Sequence, residues 1–338
     1  MHLDGGKLNI SLGGSFGSEG KALQAHYVSV CNHIDISIAN AAANAGHTFY
    51  LDGKKCIAKF LPVSGIVHTR NTIYLCAGAI LEPKALLAEL DRFEVDHDRV
   101  CIHPRCAIIT EDDISSERKS DSSVSKIAST RSGVGAALVR KINRSAKLAQ
   151  DIPELKHMVR ELDIHELLDL GCTGFMEVPQ GFDLSIDGPF YPHCTSRNIT
   201  VSSALSDCNV HPSYLGKVCV CLRTYPIRVG NIIEAGIEVG NSGPFYDDSV
   251  ELSWDDIGVK AELTTVTGRI RRVSSFSMKQ YRRMLDILRP DYVLLNFANY
   301  MSREKLAKLL DGLDEVTHLG FGPNVENVFL NHGHFIGD

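Results

Sequence analysis

The sequence predicts an α/β protein with a largely parallel central sheet, flanked by helices and carrying long functional loops. Short apolar runs alternate with segments of helical periodicity through most of the 338 residues, a pattern typical of parallel sheets. Hydrophobic residues make up 44% of the chain, so a sizeable core can be buried. No Gly/Ser or Pro linker and no repeat interrupts the pattern, and we therefore expect a single domain over residues 1–338.

The predicted elements follow in chain order. KLNISLGG, IDISIAN and KCIAKFLP are interpreted as strands, with a helix over residues 20–31 after the first of them. Pro83 fits the first turn of a helix running to about Phe93, because that position leaves its N–H unbonded in any helix. Residues 153–170 predict a second clear helix, followed by the strand TGFMEV. The strands KVCVCLR, DYVLLNF and EVTHLG then alternate with the helices SMKQYRRMLDIL and SREKLAKLL.

Two segments, residues 111–135 and 234–272, are polar and poor in periodicity. Long irregular stretches within a compact domain are usually functional or mobile, so we expect loops there.

Composition excludes several classes of function. The formal charge of −6 argues against non-specific nucleic-acid binding. No apolar run reaches the length of a membrane span, and the N-terminus lacks a basic segment followed by an apolar one, so we expect a cytoplasmic protein. Of the ten cysteines, only CIHPRC and VCVC form close pairs, and neither continues into a zinc pattern. Structural thiols are the expected outcome.

The stretch GGSFGSEGK, residues 13–21, lies between the first predicted strand and the first predicted helix. Glycines at such a junction let backbone N–H groups approach an anion, and Lys21 adds a positive charge. The loop is not a Walker A sequence, because Ser15 stands in place of the first glycine and Ala22 follows Lys21. Taken alone, the loop is as consistent with packing as with phosphate binding.

A second segment, NAGHT at residues 44–48, follows another predicted strand. Alone, His47 is equally consistent with a histidine in a turn. Together and in this order, the glycine loop and NAGHT resemble the adenylosuccinate synthetase family, in which the first loop holds a nucleoside triphosphate and the histidine acts as a general acid. The resemblance implies the P-loop-related α/β fold of that family.

The resemblance extends along nearly the whole chain. Further segments are similar to the family's loops for the nucleotide 5′-phosphate, the purine, the ribose, aspartate and the donor base; they are STRSGVG at 129–135, EVPQGFDLSIDGPFYPHCTSRN, RVG at 228–230, TTVTGRIRR and GFGP at 320–323. SGPFYDDSVELSW resembles archaeal-type members. These enzymes transfer the γ-phosphoryl group of a nucleoside triphosphate to the O6 of a 6-oxopurine nucleotide, and the amino group of aspartate then displaces it.

The resemblance implies a set of site residues. Those implied for the triphosphate are Ser15, Gly17, Ser18, Glu19, Gly20, Lys21, Gly46, His47, Thr48, Asn296, Asn299, Gly322 and Pro323. Those implied for the acceptor nucleotide are Ser18, Asn44, Ala45, Ser129, Thr130, Arg144, Gln180, Thr195 and Val229. Those implied for aspartate are Thr265, Thr267, Arg269 and Arg271, because forked guanidinium groups suit carboxylates.

The same resemblance implies catalysis and assembly. Ser18, Lys21, His47 and Gln180 are the expected catalytic residues, and Ser18 and the carbonyl of Gly46 are the expected protein ligands of Mg²⁺. Arg144 stands at the spacing of an arginine that enters the neighbouring subunit's site, which implies a homodimer. Arg140 lies four residues earlier, so the match is open to a shift of one helical turn. Alternatively, these cations belong to a solvated helix face.

Ser18 is the main departure from the family, whose ordinary members have GDEGK where this chain has GSEGK. Their aspartate removes the N1 proton of inosinate and contacts Mg²⁺, whereas a serine hydroxyl is a poor base at neutral pH. An inactive site is one interpretation, but Lys21, His47 and Gln180 remain. The other is a changed substrate, because serine leaves room for the 2-amino group of guanine. This feature resembles a phage-type branch that makes N6-succino-2-amino-2′-deoxyadenylate from dGMP for diaminopurine DNA.

The second departure concerns the donor base. Ordinary members recognise the guanine of GTP with a TKxD segment, whereas this chain has NFAN at 296–299. The Asn299 amide has one donor and one acceptor, a pair that matches adenine and mismatches guanine. ATP or dATP is therefore the expected donor, unless Asn299 caps a loop without touching the base.

The sequence-based hypothesis is thus a ligase that joins L-aspartate to dGMP at the expense of ATP or dATP. The alternatives are an ordinary adenylosuccinate synthetase acting on IMP and a nucleotide-binding protein without catalysis.

Overall fold

The computed structural model describes residues 1–119, 126–264 and 268–332. Its strands are β1 Leu8–Gly13, β2 Ile36–Ala39, β3 His47–Leu51, β4 Lys54–Ala58, β5 Thr72–Leu75, β6 Ile80–Leu81, β7 Val100–Ile102, β8 Ala107–Ile108, β9 Gly174–Glu177, β10 Leu215–Arg223, β11 Ile227–Arg228, β12 Ile232–Glu234, β13 Ile237–Gly240, β14 Glu251–Leu252, β15 Arg272–Ser274, β16 Tyr292–Asn296, β17 Val316–Gly320 and β18 Val328–Leu330. Its helices are α1 Lys21–Cys31, α2 Val63–Val67, α3 Pro83–Arg92, α4 Glu111–Arg118, α5 Val134–Ile142, α6 Ile164–Asp169, α7 Val201–Cys208, α8 Trp254–Ile257, α9 Met278–Leu288 and α10 Arg303–Leu310.

A large sheet runs through the molecule. Within the described residues it has nine strands in the order β18-β17-β16-β10-β1-β9-β2-β5-β7. All neighbouring strands are parallel except the edge pair β17 and β18. The prediction of an α/β fold with a largely parallel sheet is therefore confirmed.

Side chains of the central strands point alternately into two hydrophobic cores, because successive residues of a strand face opposite sides of the sheet. Cys219 and Cys221 of β10 lie in one core, while Val218 and Val220 lie in the other. The VCVC run therefore alternates as expected. All ten cysteines are free thiols in this structure, in keeping with the structural role predicted for them.

The prediction of a long helix over 153–170 is wrong. Residues 153–155 form one turn of 3₁₀ helix, and the α-helix begins only at Ile164, where the Asp163 side chain accepts from the backbone N–H of Glu166. Between them the chain pairs with the edge strand β7: the N–H of Ile102 donates to Met158 O at 2.9 Å, and Arg160 N donates back to Ile102 O at 3.1 Å. This pairing gives hydrogen-bond partners to the backbone N–H and C=O of Ile102 on the edge strand. A helix over 153–170 would leave both groups without these partners.

The polar segment at 111–135 is also more regular than predicted. Glu111–Arg118 forms α4, because Thr110 and Asp113 build a capping box at its start. Residues 120–125 lie outside the described ranges. The second polar segment, 234–272, is also partly regular, because it contains β13, β14 and α8.

Four parallel strands end side by side at the edge of the sheet where the glycine loop begins. β1 leads into the glycine loop, β9 into Gln180, β10 ends at Arg223, and β16 ends at Asn296. Ligands of open α/β sheets bind at the carboxyl ends of the strands. In the described parts of the chain, no helix combines the length and apolar character needed to span a bilayer.

Candidate active site

A cavity of about 650 Å³ opens at the carboxyl edge of these strands. The predicted site residues that line it are Gly17, Ser18, Glu19, Gly20, Lys21, Asn44, Ala45, Gly46, His47, Thr48, Thr130, Gln180, Val229, Arg271, Asn296, Asn299, Gly322 and Pro323. Ser15, Ser129, Arg144, Thr195 and Arg269 are not among the described residues that line it. Thr265 and Thr267 lie outside the described ranges. Motifs far apart in the chain thus converge on one cavity.

Glu19 organises the glycine loop from inside. Its carboxylate is fully buried and accepts from Gly17 N at 2.7 Å, Ser15 N at 3.1 Å and Ser15 Oγ at 3.0 Å. Its other oxygen lies 3.2 Å from Lys21 Nζ. Because these bonds occupy the carboxylate, Glu19 shapes the loop although it borders the cavity, and Ser15 shapes the loop without lining the cavity.

Gly20 joins the loop to α1 in a left-handed conformation, with φ of +87°. A Cβ at this position would lie 2.6 Å from Nδ2 of Asn296, so a larger residue would clash as well as strain the backbone. The helix begins without a side-chain cap, and its first turn lines the cavity. The N–H of Leu23 donates to the Gly20 carbonyl at 3.0 Å, so the N–H groups of Lys21 and Ala22 are the ones of this turn that can bind an anion.

Asn296 supports this turn from below. Its side chain is buried and donates to the carbonyl of Glu19 at 2.8 Å. We therefore assign Asn296 to the loop's support, whereas Asn299, three residues beyond the strand, is exposed and lines the cavity.

Lys21 links the loop to the strand on its other side. Its Nζ donates to the carbonyl of Gln180 at 2.5 Å. Gln180 has a positive φ of 74°, and its amide donates to Asn44 Oδ1 at 2.9 Å. Lys21, Gln180 and the NAGHT segment are thus connected by direct hydrogen bonds.

His47 lies at the start of β3, beside this group. Burial and the positive charge of Lys21 lower the pKa of His47 to about 3. The imidazole is therefore neutral at physiological pH, with one nitrogen able to donate a hydrogen bond. A bound triphosphate would raise the pKa of His47 by adding negative charge nearby.

Ser18 belongs to a network that the sequence did not predict. Ser18 is exposed and lines the cavity, and its backbone φ is +59°. Its Oγ accepts a hydrogen bond from Arg271 Nη1 at 2.7 Å. Its carbonyl accepts from Arg223 at 3.1 Å. Both arginines face Glu262, which lies 2.6 Å from Arg223 Nη2 and 3.9 Å from Arg271 Nε.

The charges in this network are strongly coupled. Burial acts to raise the pKa of Glu262, but the two arginines hold it below its ordinary value. Burial lowers the pKa of Arg271 to about 10, with Glu262 opposing the change. The Arg223 guanidinium also lies 3.9 Å above the ring of Phe297. Glu262 thus orients the arginine that reaches Ser18.

The aspartate loop also touches the predicted phosphate loop. Arg269 Nη2 donates to the carbonyl of Ala128 at 2.8 Å, so it bridges the two segments. Arg140 is committed elsewhere, with Nε 2.7 Å from Oδ1 of the buried Asp113. Arg144 is exposed with φ of +62°, and its side chain makes no hydrogen bond or ion pair within the described residues. Of the two arginines, Arg144 is the one free to reach another molecule.

One group of residues that line the cavity includes two aromatic rings and an exposed amide. The group consists of Phe297, Asn299, Tyr300, Gly322 and Pro323. Phe297 has a positive φ of 61° and lies edge-on to Tyr300, with ring centroids 5.2 Å apart. An aromatic surface beside an exposed amide is suited to stacking and pairing with a base.

The charge of the cavity favours anions. Lys21, Lys55 and Arg271 line it together with two carboxylates, Glu19 and Glu262, both of which are already bonded within the protein. The described residues contain no cluster of three or more His, Cys, Asp or Glu side chains that could hold a metal ion. Ser18 and Gly46, which carry a hydroxyl and a backbone carbonyl, nevertheless both line the cavity. A few protein oxygens completed by phosphates fit the way Mg²⁺ is usually held.

Comparison with known proteins is consistent with this geometry. A family model described as adenylosuccinate synthetase matches residues 10–169. The N6-succino-2-amino-2′-deoxyadenylate synthase of Salmonella phage PMBT28 is 31% identical, covering 97% of this chain and 98% of that protein. The adenylosuccinate synthetase of Archaeoglobus fulgidus is 34% identical, covering 78% of this chain and 75% of that protein.

A solved structure agrees over nearly the full length. The cyanophage S-2L succinoaminodeoxyadenylate synthetase, bound to dGMP and to dATP as an energy donor, matches with a TM-score of 0.85 and 33% identity. The match covers 96% of this chain and 95% of that chain.

Proposed function

This chain belongs to the adenylosuccinate synthetase family, and from that premise we propose that it ligates L-aspartate to dGMP. The energy donor is ATP or dATP, and the products are N6-succino-2-amino-2′-deoxyadenylate, ADP or dADP, and phosphate. The phage relatives and the S-2L structure with dGMP and dATP support this substrate pair. We also propose that the chain acts as a single domain; the convergence of described residues between Phe16 and Pro323 on one cavity supports this.

The observation that carries the proposal is the position of Ser18. It stands at the cavity surface in the glycine loop, where a carboxylate would occupy more space and carry charge. The guanidinium of Arg271 already bonds its hydroxyl at 2.7 Å. A purine with a 2-amino group can therefore approach a small neutral side chain, whose oxygen accepts from an N–H donor.

In the first step the γ-phosphoryl group passes from the donor to O6 of dGMP. The O6–P bond forms as the bond to the leaving diphosphate breaks, and negative charge spreads over the transferring group. Lys21 and the N-terminal N–H groups of α1 stabilise that charge, while neutral His47 donates a hydrogen bond to a phosphoryl oxygen. Gln180 and Asn44 orient the purine beside them. The N1 proton of guanine leaves in this step, and its acceptor is water, a phosphate oxygen or the incoming aspartate, since the Ser18 hydroxyl is a poor base.

Mg²⁺ fits the oxygen donors of this site. Ser18 Oγ and the carbonyl of Gly46 would hold the ion together with substrate phosphates, and it would neutralise part of their charge.

In the second step the neutral amino group of aspartate attacks C6, and the C6–N bond forms as the C6–O6 bond breaks. O6 leaves as part of the phosphate, which takes up the proton lost from the amino group. Arg269 and Arg271 bind the carboxylates of aspartate, for which a forked guanidinium is suited. Arg271 also contacts Ser18 at the cavity surface, so the aspartate and purine sites adjoin. Glu262 positions Arg271 for both contacts.

The acceptor is tested by offering dGMP, GMP and IMP with ATP and aspartate and following phosphate release. We expect dGMP to be used far better than IMP, and Ser18→Asp to depress turnover of dGMP because the larger carboxylate crowds the 2-amino group. Ser18→Ala separates the effect of bulk from the roles of the hydroxyl, since it adds no bulk but removes the oxygen bonded by Arg271. It should lower dGMP turnover less than Ser18→Asp does. Preference for IMP would instead indicate an ordinary adenylosuccinate synthetase, and no phosphate release with any of them would indicate a binding protein.

The donor is expected to be an adenine nucleotide. At equal concentration, ATP or dATP should support faster turnover than GTP, because the Asn299 amide pairs with adenine and mismatches guanine, a difference of about 1–3 kcal/mol. Steady-state rates with each donor measure this. Asn299→Asp should shift the preference toward GTP, and equal rates for ATP and GTP in the parent protein would contradict the assignment.

We further propose a homodimer in which Arg144 contacts the 5′-phosphate of the nucleotide bound by the partner. Its exposure supports this role, as does the pairing of Arg140 with Asp113. Arg144→Leu is expected to weaken dGMP binding and to leave donor binding largely unchanged. Both affinities can be measured by calorimetry.

Mixing provides the sharper measurement of this contact. The Arg144→Leu protein is mixed with the Lys21→Ala protein and the subunits are allowed to exchange. The mixture should regain activity, because one site of each mixed dimer has an intact Lys21 and receives an intact arginine from the other subunit. Exchange is verified separately by labelling. If the mixture is no more active than its two components, Arg144 does not act between subunits.

A further inference from the structure

Arg223, at the end of β10, is a buried cation that lies behind the wall of the cavity. Its side chain has no exposed surface, and it is not among the described residues that line the cavity. Three residues that contact it, Ser18, Glu262 and Phe297, do line the cavity. A buried charge is costly unless its surroundings stabilise it. Because these contacts all lead to the cavity wall, Arg223 can act on bound substrates through them.

The first contact is with the backbone of Ser18. Arg223 Nη1 donates to the Ser18 carbonyl at 3.1 Å. The φ of Ser18 is +59°, a left-handed conformation that is strained for a residue with a side chain. In this conformation Ser18 Oγ accepts from Arg271 at 2.7 Å. The hydrogen bond from Arg223 therefore helps to hold Ser18 where its hydroxyl meets Arg271.

The second contact is with the ring of Phe297, the first residue after β16. The Arg223 guanidinium lies 3.9 Å from the ring centroid, a distance at which the cation and the π-system attract each other. Phe297 also has a left-handed backbone, with φ of +61°, and its carbonyl accepts from Thr224 Oγ1 at 2.8 Å. A bulky residue in this conformation has to be held by its surroundings. Arg223 and Thr224 thus support Phe297 together.

Glu262 fixes the guanidinium between these two contacts. Its Oε1 lies 2.6 Å from Arg223 Nη2, and its Oε2 lies 3.3 Å from Nη1. Oε1 also accepts from the hydroxyl of Tyr300 at 3.1 Å. A contact at two points sets the plane of a guanidinium as well as its position. Because the fork is rigid, a movement of the guanidinium at the Phe297 ring also changes its hydrogen bond to Ser18.

We infer that Arg223 is a positioning residue that couples the two nucleotide sites. The inference rests on the proposed function, in which the donor base pairs with Asn299 beside the Phe297 ring and the acceptor purine approaches Ser18. A base stacked on Phe297 restrains the ring, and Arg223 transmits that restraint to the Ser18 backbone. The donor base therefore strengthens acceptor binding, and linkage makes the effect reciprocal.

The donor's phosphates require one distinction. They reach the glycine loop directly, so they can affect Ser18 without Arg223. The coupling assigned to Arg223 is the part that depends on the base. Pyrophosphate, which has no base, therefore serves as the reference for ADP.

The test is a calorimetric titration of the full chain with dGMP and Mg²⁺, alone, with saturating pyrophosphate or with saturating ADP. Because ADP lacks a γ-phosphoryl group and aspartate is left out, no ligation occurs. In the parent protein, ADP should raise the affinity for dGMP at least about tenfold more than pyrophosphate does. In Arg223→Lys, which keeps the charge but loses the fork, the two should raise it equally. Arg282→Gln, at an exposed arginine on α9, is the matched control and should keep the parent's ratio.

A second variant acts at the other end of the contact. Phe297→Leu removes the ring but leaves Arg223 bonded to Ser18 and Glu262, and it should also lose the gain that is specific to ADP. A variant that only weakens the fold lowers both affinities and leaves their ratio unchanged. The inference is overturned if ADP and pyrophosphate act equally in the parent protein, or if either folded variant keeps the ADP-specific gain.

The same titrations separate this inference from the proposed function. If dGMP binds with one affinity under all three conditions, Arg223 does not couple the sites and the proposed acceptor stands. If IMP binds and dGMP does not, the proposed acceptor is wrong, and the ratio measured with IMP decides the role of Arg223. If neither nucleotide binds, both proposals are wrong.

Discussion

Replacing Lys21 by alanine is expected to lower turnover by about two orders of magnitude or more, the scale typical of a charge that stabilises a transferring phosphoryl group. Lys21 lies where the glycine loop, the end of β9 and the NAGHT segment meet, with its ammonium bonded to Glu19 and to the Gln180 carbonyl. No other lysine or arginine among the described cavity residues is held by both of these groups. Single-turnover measurements with dGMP, ATP and aspartate would report the loss directly.

Lys55→Ala is the matched control, because Lys55 also lines the cavity but is exposed. It should retain most of the parent's turnover. The Lys21→Ala protein should remain folded, since its ammonium faces the cavity and Glu19 keeps its bonds to Gly17 and Ser15. A folded Lys21→Ala protein with near-parent turnover would remove Lys21 from the proposed mechanism.

The sequence predicted the parts of the site that reside in continuous motifs. Gly20, Lys21 and His47 occur in short segments whose residue types fit phosphate binding, and these segments do converge on one cavity. The central strands were equally predictable, because an alternating run such as VCVC can fill two cores at once. Local chemistry was sufficient in both cases.

The network around Ser18 could not be predicted in this way. Arg223 and Glu262 are 39 residues apart and meet only because β10 ends next to the loop that carries Glu262. The neighbouring sequence does not show whether an arginine at the end of a strand is buried or solvated. Arg223 is 1% exposed, and its charge is stabilised by Glu262 and by the ring of Phe297. A buried cation of this kind requires its partners to be present in the fold.

The false helix at 153–170 has the same origin. Its periodicity is real, but the backbone near Val159 pairs with the edge strand β7, and tertiary pairing overrides local propensity.

The role of each side chain within the site could not be predicted from the local sequence either. Asn296 and Glu19 belong to the predicted motifs, yet their side chains bond the loop itself.

The pKa of His47 leads to the second large expected effect. His47→Ala should lower turnover by about 100-fold, the scale typical of a positioned donor. Because the pKa of the free protein's imidazole is about 3, the ring is neutral throughout pH 5–8 and can donate only a hydrogen bond there. His47→Gln retains an N–H donor and should therefore keep clearly more activity than His47→Ala.

The pH dependence separates this role from proton transfer by a protonated histidine. The profile of kcat/KM reports groups of the free enzyme, whereas kcat reports groups of the bound complex. We expect no ionisation of His47 in kcat/KM between pH 5 and 8, because its pKa lies far below that window. Bound triphosphate raises the pKa, so an ionisation in kcat that disappears in His47→Gln is compatible with the proposal. A limb in kcat/KM near pH 6.5 that is lost in His47→Gln would mean that the free imidazole titrates normally, and the neutral-donor role of His47 would be wrong.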